Sequence, residues 1–208
     1  MKRLLDIAVS GAGLVLTSPI LLAAAIAVKV ETHGPVFYGG SRVGKDGRAF
    51  RILKLRTMRA GADQQGPAVT AGGDPRITAV GRFLRRTKID ELPQLLNVLK
   101  GEMSLVGPRP EHPDYVARYT PEQRRVLTVR PGITGPAALA FVNEEEKLEE
   151  EKLRGADPEA AYLADVMPQK LAVDLEYVDS ASVRGDLRIL GRTLLVVARR
   201  AVGFRRRG

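Results

Sequence analysis

The chain has 208 residues, no cysteine, two histidines and a formal net charge of +9. That length suits one ordinary domain plus an anchor. The lack of cysteine excludes disulfides and thiolate metal centres, and His33 and His112 are not in a zinc-type spacing. The basic excess points to an anionic partner: nucleic acid, a membrane surface or a phosphate-bearing substrate. An aromatic content of 5% without tryptophan weighs against a stacking platform for single-stranded nucleic acid.

The first element is an apolar run of 22 residues, Ile7 to Val28, without a charge. As a straight helix it measures roughly 33 Å, about one hydrocarbon core. It is too long for the apolar region of a signal peptide and has no clear small-residue cleavage site. A plain spanning helix is one reading. Ser18-Pro19 near its middle supports another, because Pro19 lacks an N–H and kinks a helix, while the Ser18 hydroxyl can take up a freed carbonyl. Lys2 and Arg3 precede the run and Lys29, Arg42 and Lys45 follow it, so the positive-inside bias selects no side. A re-entrant helix, with both flanks in the cytoplasm, satisfies both ends.

Residues 36–56 alternate as a hairpin around Asp46-Gly47. Residues 59–75 lack periodicity and read as a mobile loop. Residues 79–87 form a short basic helix, suited either to a membrane surface or to an ordinary solvated face. In Asp90-Glu91-Leu92-Pro93, Asp90 is a natural helix N-cap, Pro93 fits the first turn, and Gly101 ends the helix. MSLVGPRPE then reads as a strand entering a stiff turn at Pro108, Arg109 and Pro110, and Arg130-Pro131-Gly132 with Thr134-Gly135-Pro136 makes a second such loop. Residues 143–154 form a charged, solvated helix. From Asp186 to Val202 an apolar face repeats at helical spacing before a polybasic end, a pattern suited to an anionic leaflet.

By itself the Asp90-Glu91 pair reads as a helix cap. Its neighbours Arg85, Arg86 and Lys88, with Arg109 downstream, open a catalytic reading. Carboxylates beside cations keep depressed pKa values and stay ionised. An ionised aspartate can bind Mg²⁺ or attack phosphorus, and arginines neutralise a pyrophosphate. Neither a P-loop nor a G-x-G-x-x-G signature is present.

Several stretches carry a family likeness: Lys2 to Asp6, Ser18-Pro19, Lys54 to Met58, Asp74 to Thr78, Gly81 to Arg85, Asp90 to Gln94, Asn97 to Gly101, Met103 to Pro110 and Arg130 to Gly135. On these residues the chain resembles the monotopic phosphoglycosyl transferases, also called bacterial sugar transferases or undecaprenyl-phosphate sugar phosphotransferases. The resemblance implies an α+β, mostly helical fold: a re-entrant anchor over 1–34, and a cytosol-facing catalytic domain over 35–208 with amphipathic interfacial helices and a small β-hairpin. It implies the minimal catalytic form, on the cytoplasmic face of a bacterial inner membrane, with a homodimer allowed and no nucleic acid.

The resemblance also implies a two-step, ping-pong phosphosugar transfer from a UDP-sugar to polyprenyl (undecaprenyl) phosphate, an early membrane step of glycoconjugate synthesis. Asp90 would be the nucleophile and Mg²⁺ ligand, and Glu91 its dyad partner, as base or as orienting group. Arg85, Pro108, Arg109, Pro110, Arg130 and Asp174 would bind substrate. Pro136-Ala137-Ala138-Leu139 departs from the family pattern beside the expected sugar site, so the donor sugar is left open. An inactive scaffold that kept the fold, and a nucleic-acid binder, are the competing classes. The intact Asp90, Glu91 and Arg109 oppose the first and the apolar run opposes the second.

Overall fold

The structure is a computed structural model that describes residues 2–62 and 74–205. It is mostly helical, with two small sheets. Helix α1 (Lys2–Glu31) comes first. A hairpin of β1 (Phe37–Val43) and β2 (Ala49–Leu55) follows, then α2 (Ala79–Thr87), a single 3₁₀ turn over Ile89–Glu91, α3 (Gln94–Lys100) and β3 (Ser104–Val106). Beyond lie α4 (Pro113–Val116), β4 (Gly132–Thr134), α5 (Pro136–Ala140), α6 (Glu144–Leu153), α7 (Pro158–Ala161), α8 (Met167–Ser180) and α9 (Val183–Arg205).

The hairpin turns where the sequence places it. Asp46 and Gly47 both adopt positive φ, 57° and 75°, which matches the turn to the strand twist. Phe37 pairs with Leu55 at one end and Val43 with Ala49 at the other. The 59–75 loop lies largely outside the described residues. Its two ends meet, since Met58 bridges Ile77 and Arg59 donates its N–H to the Arg76 carbonyl.

α1 is the one helix among the described residues long and apolar enough to cross a membrane, with a mean hydropathy of 2.1 and only 11% of that window buried. So little burial excludes a core helix. Ser18-Pro19 lies inside α1 rather than between two helices. Pro19 cannot donate to the Val15 carbonyl one turn back; the Ser18 hydroxyl donates to it instead, at 2.8 Å.

Both ends of α1 dock on the same body. Near the start, Arg3 donates to the Val98 and Leu99 carbonyls at the end of α3. The buried Asp6 carboxylate accepts from the Ser104 hydroxyl and the Leu105 N–H. Lys2 bonds Asp186, the Tyr177 hydroxyl and the Val106 carbonyl, joining α1 to α8, α9 and β3. At the far end, Ala24 and Val28 pack on Leu55 and Leu84, and Glu31 accepts from the Ala79 and Val80 N–H groups that open α2.

β3 and β4 pair in parallel, Ser104 with Gly132 and Val106 with Thr134. The turn after β3 is pressed against this second strand. A Cβ on Gly132 would stand 2.2 Å from the Gly107 nitrogen, and one on Gly135 would stand 2.2 Å from the Gly107 oxygen. Only glycine permits that approach. The Pro108-Arg109-Pro110 turn is therefore held from behind by β4.

Candidate active site

The 3₁₀ turn carrying Asp90 and Glu91 sits between α2 and α3. Lys88, just before it, adopts left-handed backbone (φ 58°), a conformation that costs a non-glycine residue about 1–2 kcal/mol. The sequence-based N-cap role for Asp90 does not hold: Pro93 occupies the position before Gln94, and Asp90 is turned inward, 4% exposed. A local capping rule loses here to tertiary burial.

Glu91 is the electrostatic centre. Its Oε1 accepts from Lys54 Nζ at 3.0 Å and from an Arg109 guanidinium N–H at 2.9 Å, with Lys88 Nζ at 3.7 Å. Burial works to raise its pKa, but Arg109, Lys54 and Lys88 outweigh it and hold the carboxyl well below the usual carboxylate range. Asp90 goes the other way. Burial first, then the Glu91 charge, push its carboxyl above the ordinary value, against Lys54, Lys88 and Arg85. The expectation that both carboxylates are depressed is thus corrected: cations reach Glu91 directly, whereas Asp90 Oδ1 is buried with no hydrogen-bond partner among the described residues.

The other sequence candidates fall unequally around this pair. Arg85 donates through Nε to the Thr57 hydroxyl at 3.0 Å and lies within electrostatic reach of Asp90. Pro108 and Pro110 are buried on either side of Arg109. Asp174, on α8, is 4% exposed beneath the same turn, and the Arg109 and Ala137 backbone N–H groups face its carboxyl. Burial nevertheless raises its pKa to about 7. Arg130 is not brought to the dyad. Its Nε donates to the Gly101 carbonyl at 2.9 Å, beyond the C-terminal end of α3, whereas Asp90 and Glu91 precede the other end. Ser18 and Pro19 are in α1, outside this cluster.

Sequence reasoning missed Lys54 and Thr57. Both belong to the end of β2 and the residues just after it, which the hairpin folds over the dyad. The Lys-Leu-Arg-Thr alternation was the available signal, since it turns Lys54 away from the buried Leu55. It also missed a second polar cluster behind Arg109. There the buried Lys170 donates to Glu144 at 2.9 Å and to the Tyr162 hydroxyl at 3.2 Å, and Tyr162 bonds Glu111.

A metal would find few protein ligands. No group of three or more His, Cys, Asp or Glu among the described residues is placed to hold an ion. The unpartnered Asp90 Oδ1 does fit a cation that takes most of its ligands from substrate phosphates and water, the habit of Mg²⁺. Along one side of the turn runs an apolar groove of about 610 Å³ between α1 and α2, lined by residues that include Ala24, Ala27, Phe83 and Ile89. The cations Lys54, Lys88 and Arg109, gathered beside an apolar groove, suit a substrate with a phosphate head and a hydrocarbon tail.

A family model described as bacterial sugar transferase matches residues 1–200. The UDP-glucose:undecaprenyl-phosphate glucose-1-phosphate transferase of Caulobacter vibrioides is 42% identical over 196 residues, 93% of this chain and 68% of that protein. The UDP-N-acetylgalactosamine-undecaprenyl-phosphate N-acetylgalactosaminephosphotransferase of Aeromonas hydrophila is 45% identical over 95% of this chain, which spans 43% of that protein. The exopolysaccharide production protein PSS of Rhizobium leguminosarum bv. phaseoli is 37% identical over 98% of both chains.

Two outcomes follow from the electrostatics. Glu91→Gln leaves Lys54 and Arg109 without their shared counter-charge. Because both cations are partly exposed, the expected loss is about 2 kcal/mol, below that of a fully buried pair; thermal unfolding in detergent would register it, and an unchanged midpoint would contradict the role given to Glu91. Asp174 keeps a proton in the folded state that it loses when unfolded, so its contribution is complete below about pH 4 and is lost as pH rises to about 7. Asp174→Asn should therefore narrow the difference in unfolding temperature between pH 5 and pH 8, and an unchanged difference would refute the shift.

Proposed function

Because the chain belongs to the bacterial sugar transferase family, we propose that it is a phosphoglycosyl transferase that moves a sugar-1-phosphate from a UDP-sugar to polyprenyl phosphate. The relatives named above that carry a reaction in their names differ in donor sugar and share undecaprenyl phosphate as acceptor. The observation that carries the reading is the buried, unpartnered Asp90 oxygen beside a glutamate that draws cations to the same spot.

In the first step an Asp90 carboxylate oxygen attacks the phosphorus that bears the sugar. The bond from that phosphorus to the bridging oxygen breaks, and UMP leaves with the electron pair. In the second step an oxygen of polyprenyl phosphate attacks the same phosphorus and displaces Asp90, giving the polyprenyl-diphosphate sugar. Arg85 and Arg109 neutralise the pyrophosphate. Glu91, held ionised by its cations, serves this reading better as their organiser than as a base. Mg²⁺ would be held by Asp90 and the donor phosphates, and when bound supplies charge neutralisation. The apolar groove ending at Ile89 suits the first isoprene units of the acceptor.

For the anchor, the docking of both α1 ends on one body supports a re-entrant helix bent near Pro19 over one that crosses to the far side. The exposed apolar side chains of α1, such as Val15 and Leu16, then face lipid. The basic residues at both flanks of α1, Lys2, Arg3 and Lys29, support the cytoplasmic face for the domain.

Two measurements test these statements. Incubation with donor alone should leave a phosphosugar adduct on Asp90 by mass spectrometry, and Asp90→Asn or removal of divalent cations should lower UMP release at least about 1,000-fold; an adduct on another residue would overturn the nucleophile. The chain has no cysteine, so Leu4→Cys and Val30→Cys can be labelled singly in membrane vesicles. Both should react with an impermeant maleimide from the cytoplasmic side, whereas labelling from opposite sides would make α1 a spanning helix.

A further inference from the structure

Residues Ile89 to Lys100 form one helical stretch, because Leu92 and Pro93, between the 3₁₀ turn and α3, keep right-handed helical backbone. The Leu95 and Leu96 N–H groups donate back to the Leu92 and Pro93 carbonyls. Asp90, Gln94 and Asn97 therefore fall at i, i+4 and i+7, in one row on one side of the stretch. All three are buried, Gln94 at 1% and Asn97 at 0% exposure. The row lies along β2. Asn97 meets Arg51 and Leu53 of that strand, and Lys54, the next residue of the strand, is within electrostatic reach of Asp90.

Buried polar groups are normally hydrogen-bonded, and Asn97 follows the rule. Its Oδ1 accepts from the Leu53 N–H at 2.9 Å, and its Nδ2 donates to the Arg51 carbonyl at 2.8 Å and to Glu102 at 2.7 Å. Asn97 is thus a clasp between α3 and β2. Gln94 breaks the rule. Its Nε2 is buried without a hydrogen-bond partner among the described residues, and so is Asp90 Oδ1, one turn earlier. An unmet buried amide is unfavourable, and methionine would fill nearly the same volume without that cost. Packing alone therefore does not call for glutamine here. The two unmet atoms are complementary, one a donor and the other an acceptor. A glutamine amide and an aspartate carboxylate at i and i+4 are within reach of each other by rotamer change. Asn97, on the other side of Gln94, is already committed to β2 and Glu102.

We propose that Gln94 is a positioning residue for the nucleophile: its Nε2–H donates to one Asp90 carboxylate oxygen and so turns the other toward the phosphorus of the donor. The inference rests on the phosphosugar transfer through Asp90 proposed above. An ionised carboxylate offers about four acceptor positions, so this bond leaves Asp90 room for a cation. Gln94 gains and loses no proton. It fixes the geometry in which the Asp90 oxygen–phosphorus bond forms while the bond to UMP breaks. A nucleophile displaced by about 1 Å reacts on the order of 100-fold more slowly.

The test uses the full chain in detergent, with UDP-glucose and UDP-N-acetylgalactosamine as donors and undecaprenyl phosphate as acceptor. Gln94→Met keeps the volume and removes the amide. With whichever donor the wild type uses, kcat for UMP release and the rate of Asp90 adduct formation from donor alone should both fall about 100-fold. The donor KM should stay within about threefold of wild type, and the thermal unfolding midpoint should stay level or rise. A kcat within about threefold of wild type would overturn the proposal and leave Gln94 a buried amide met by water alone. A rise in KM without loss of kcat would overturn it in favour of a direct contact with the donor. A lowered midpoint would overturn it in favour of a structural bond. If wild-type protein forms the Asp90 adduct and Gln94→Met forms it equally fast, only the role of Gln94 falls; a wild type that forms no adduct would overturn the transfer reaction as well.

Discussion

One carboxylate organises the candidate site. Glu91 collects Lys54, Lys88 and Arg109, which come from the hairpin, the end of α2 and the proline-flanked turn. Gathering several cations in a buried place is unfavourable without a counter-charge, so these segments converge because Glu91 is there. Its own ionisation follows from the same arrangement. Asp90, the residue before it, receives burial and a like charge, and its Oδ1 has no hydrogen-bond partner among the described residues. Adjacent residues with the same functional group thus end in opposite electrostatic states, the usual way in which a carboxylate pair divides its roles.

The rest of the domain is a frame for this arrangement. Gly107, Gly132 and Gly135 let β4 press against the turn that presents Arg109, so the guanidinium is delivered from a backbone with little freedom. Asp174 sits under the same turn, and Lys170 with Glu144 and Tyr162 fills the space behind it. On the opposite side, Arg56 donates to the Thr32 and His33 carbonyls, tying the end of α1 to the end of β2, one residue before the Thr57 that holds Arg85.

Local features were legible in the sequence. Asp46-Gly47 announced the hairpin turn, Gly101 the end of α3, and residues 79–87 match α2 residue for residue. Each rests on backbone preference within a few residues. The misreadings arose where distant segments meet. Asp90 satisfies the capping rule on paper, yet burial turned it inward. The division of pKa between Asp90 and Glu91 depends on Lys54, 37 residues before Glu91 in the chain, and no pattern near the dyad records it. Arg130 stands in a motif beside substrate-binding candidates, and its guanidinium bonds the Gly101 carbonyl past the C-terminal end of α3, a placement no local pattern gives. α9 starts at Val183, before the expected Asp186: the Ser182 hydroxyl accepts from the Gly185 N–H, and Asp186 in the first turn pairs with the distant Lys2.

That lysine has a consequence for how the protein is made. Lys2 and Asp186 are separated by 184 residues, and Tyr177 joins them. A ribosome delivers α1 before α9, at about 5–20 residues per second. Until α9 emerges, Lys2 lacks Asp186, and the side of β3 that α9 packs against stays uncovered. The nascent domain therefore waits as an unclosed assembly. Arrival of α9 closes the domain and forms the Lys2–Asp186 pair together, so translation through α9 acts as the checkpoint for a closed domain.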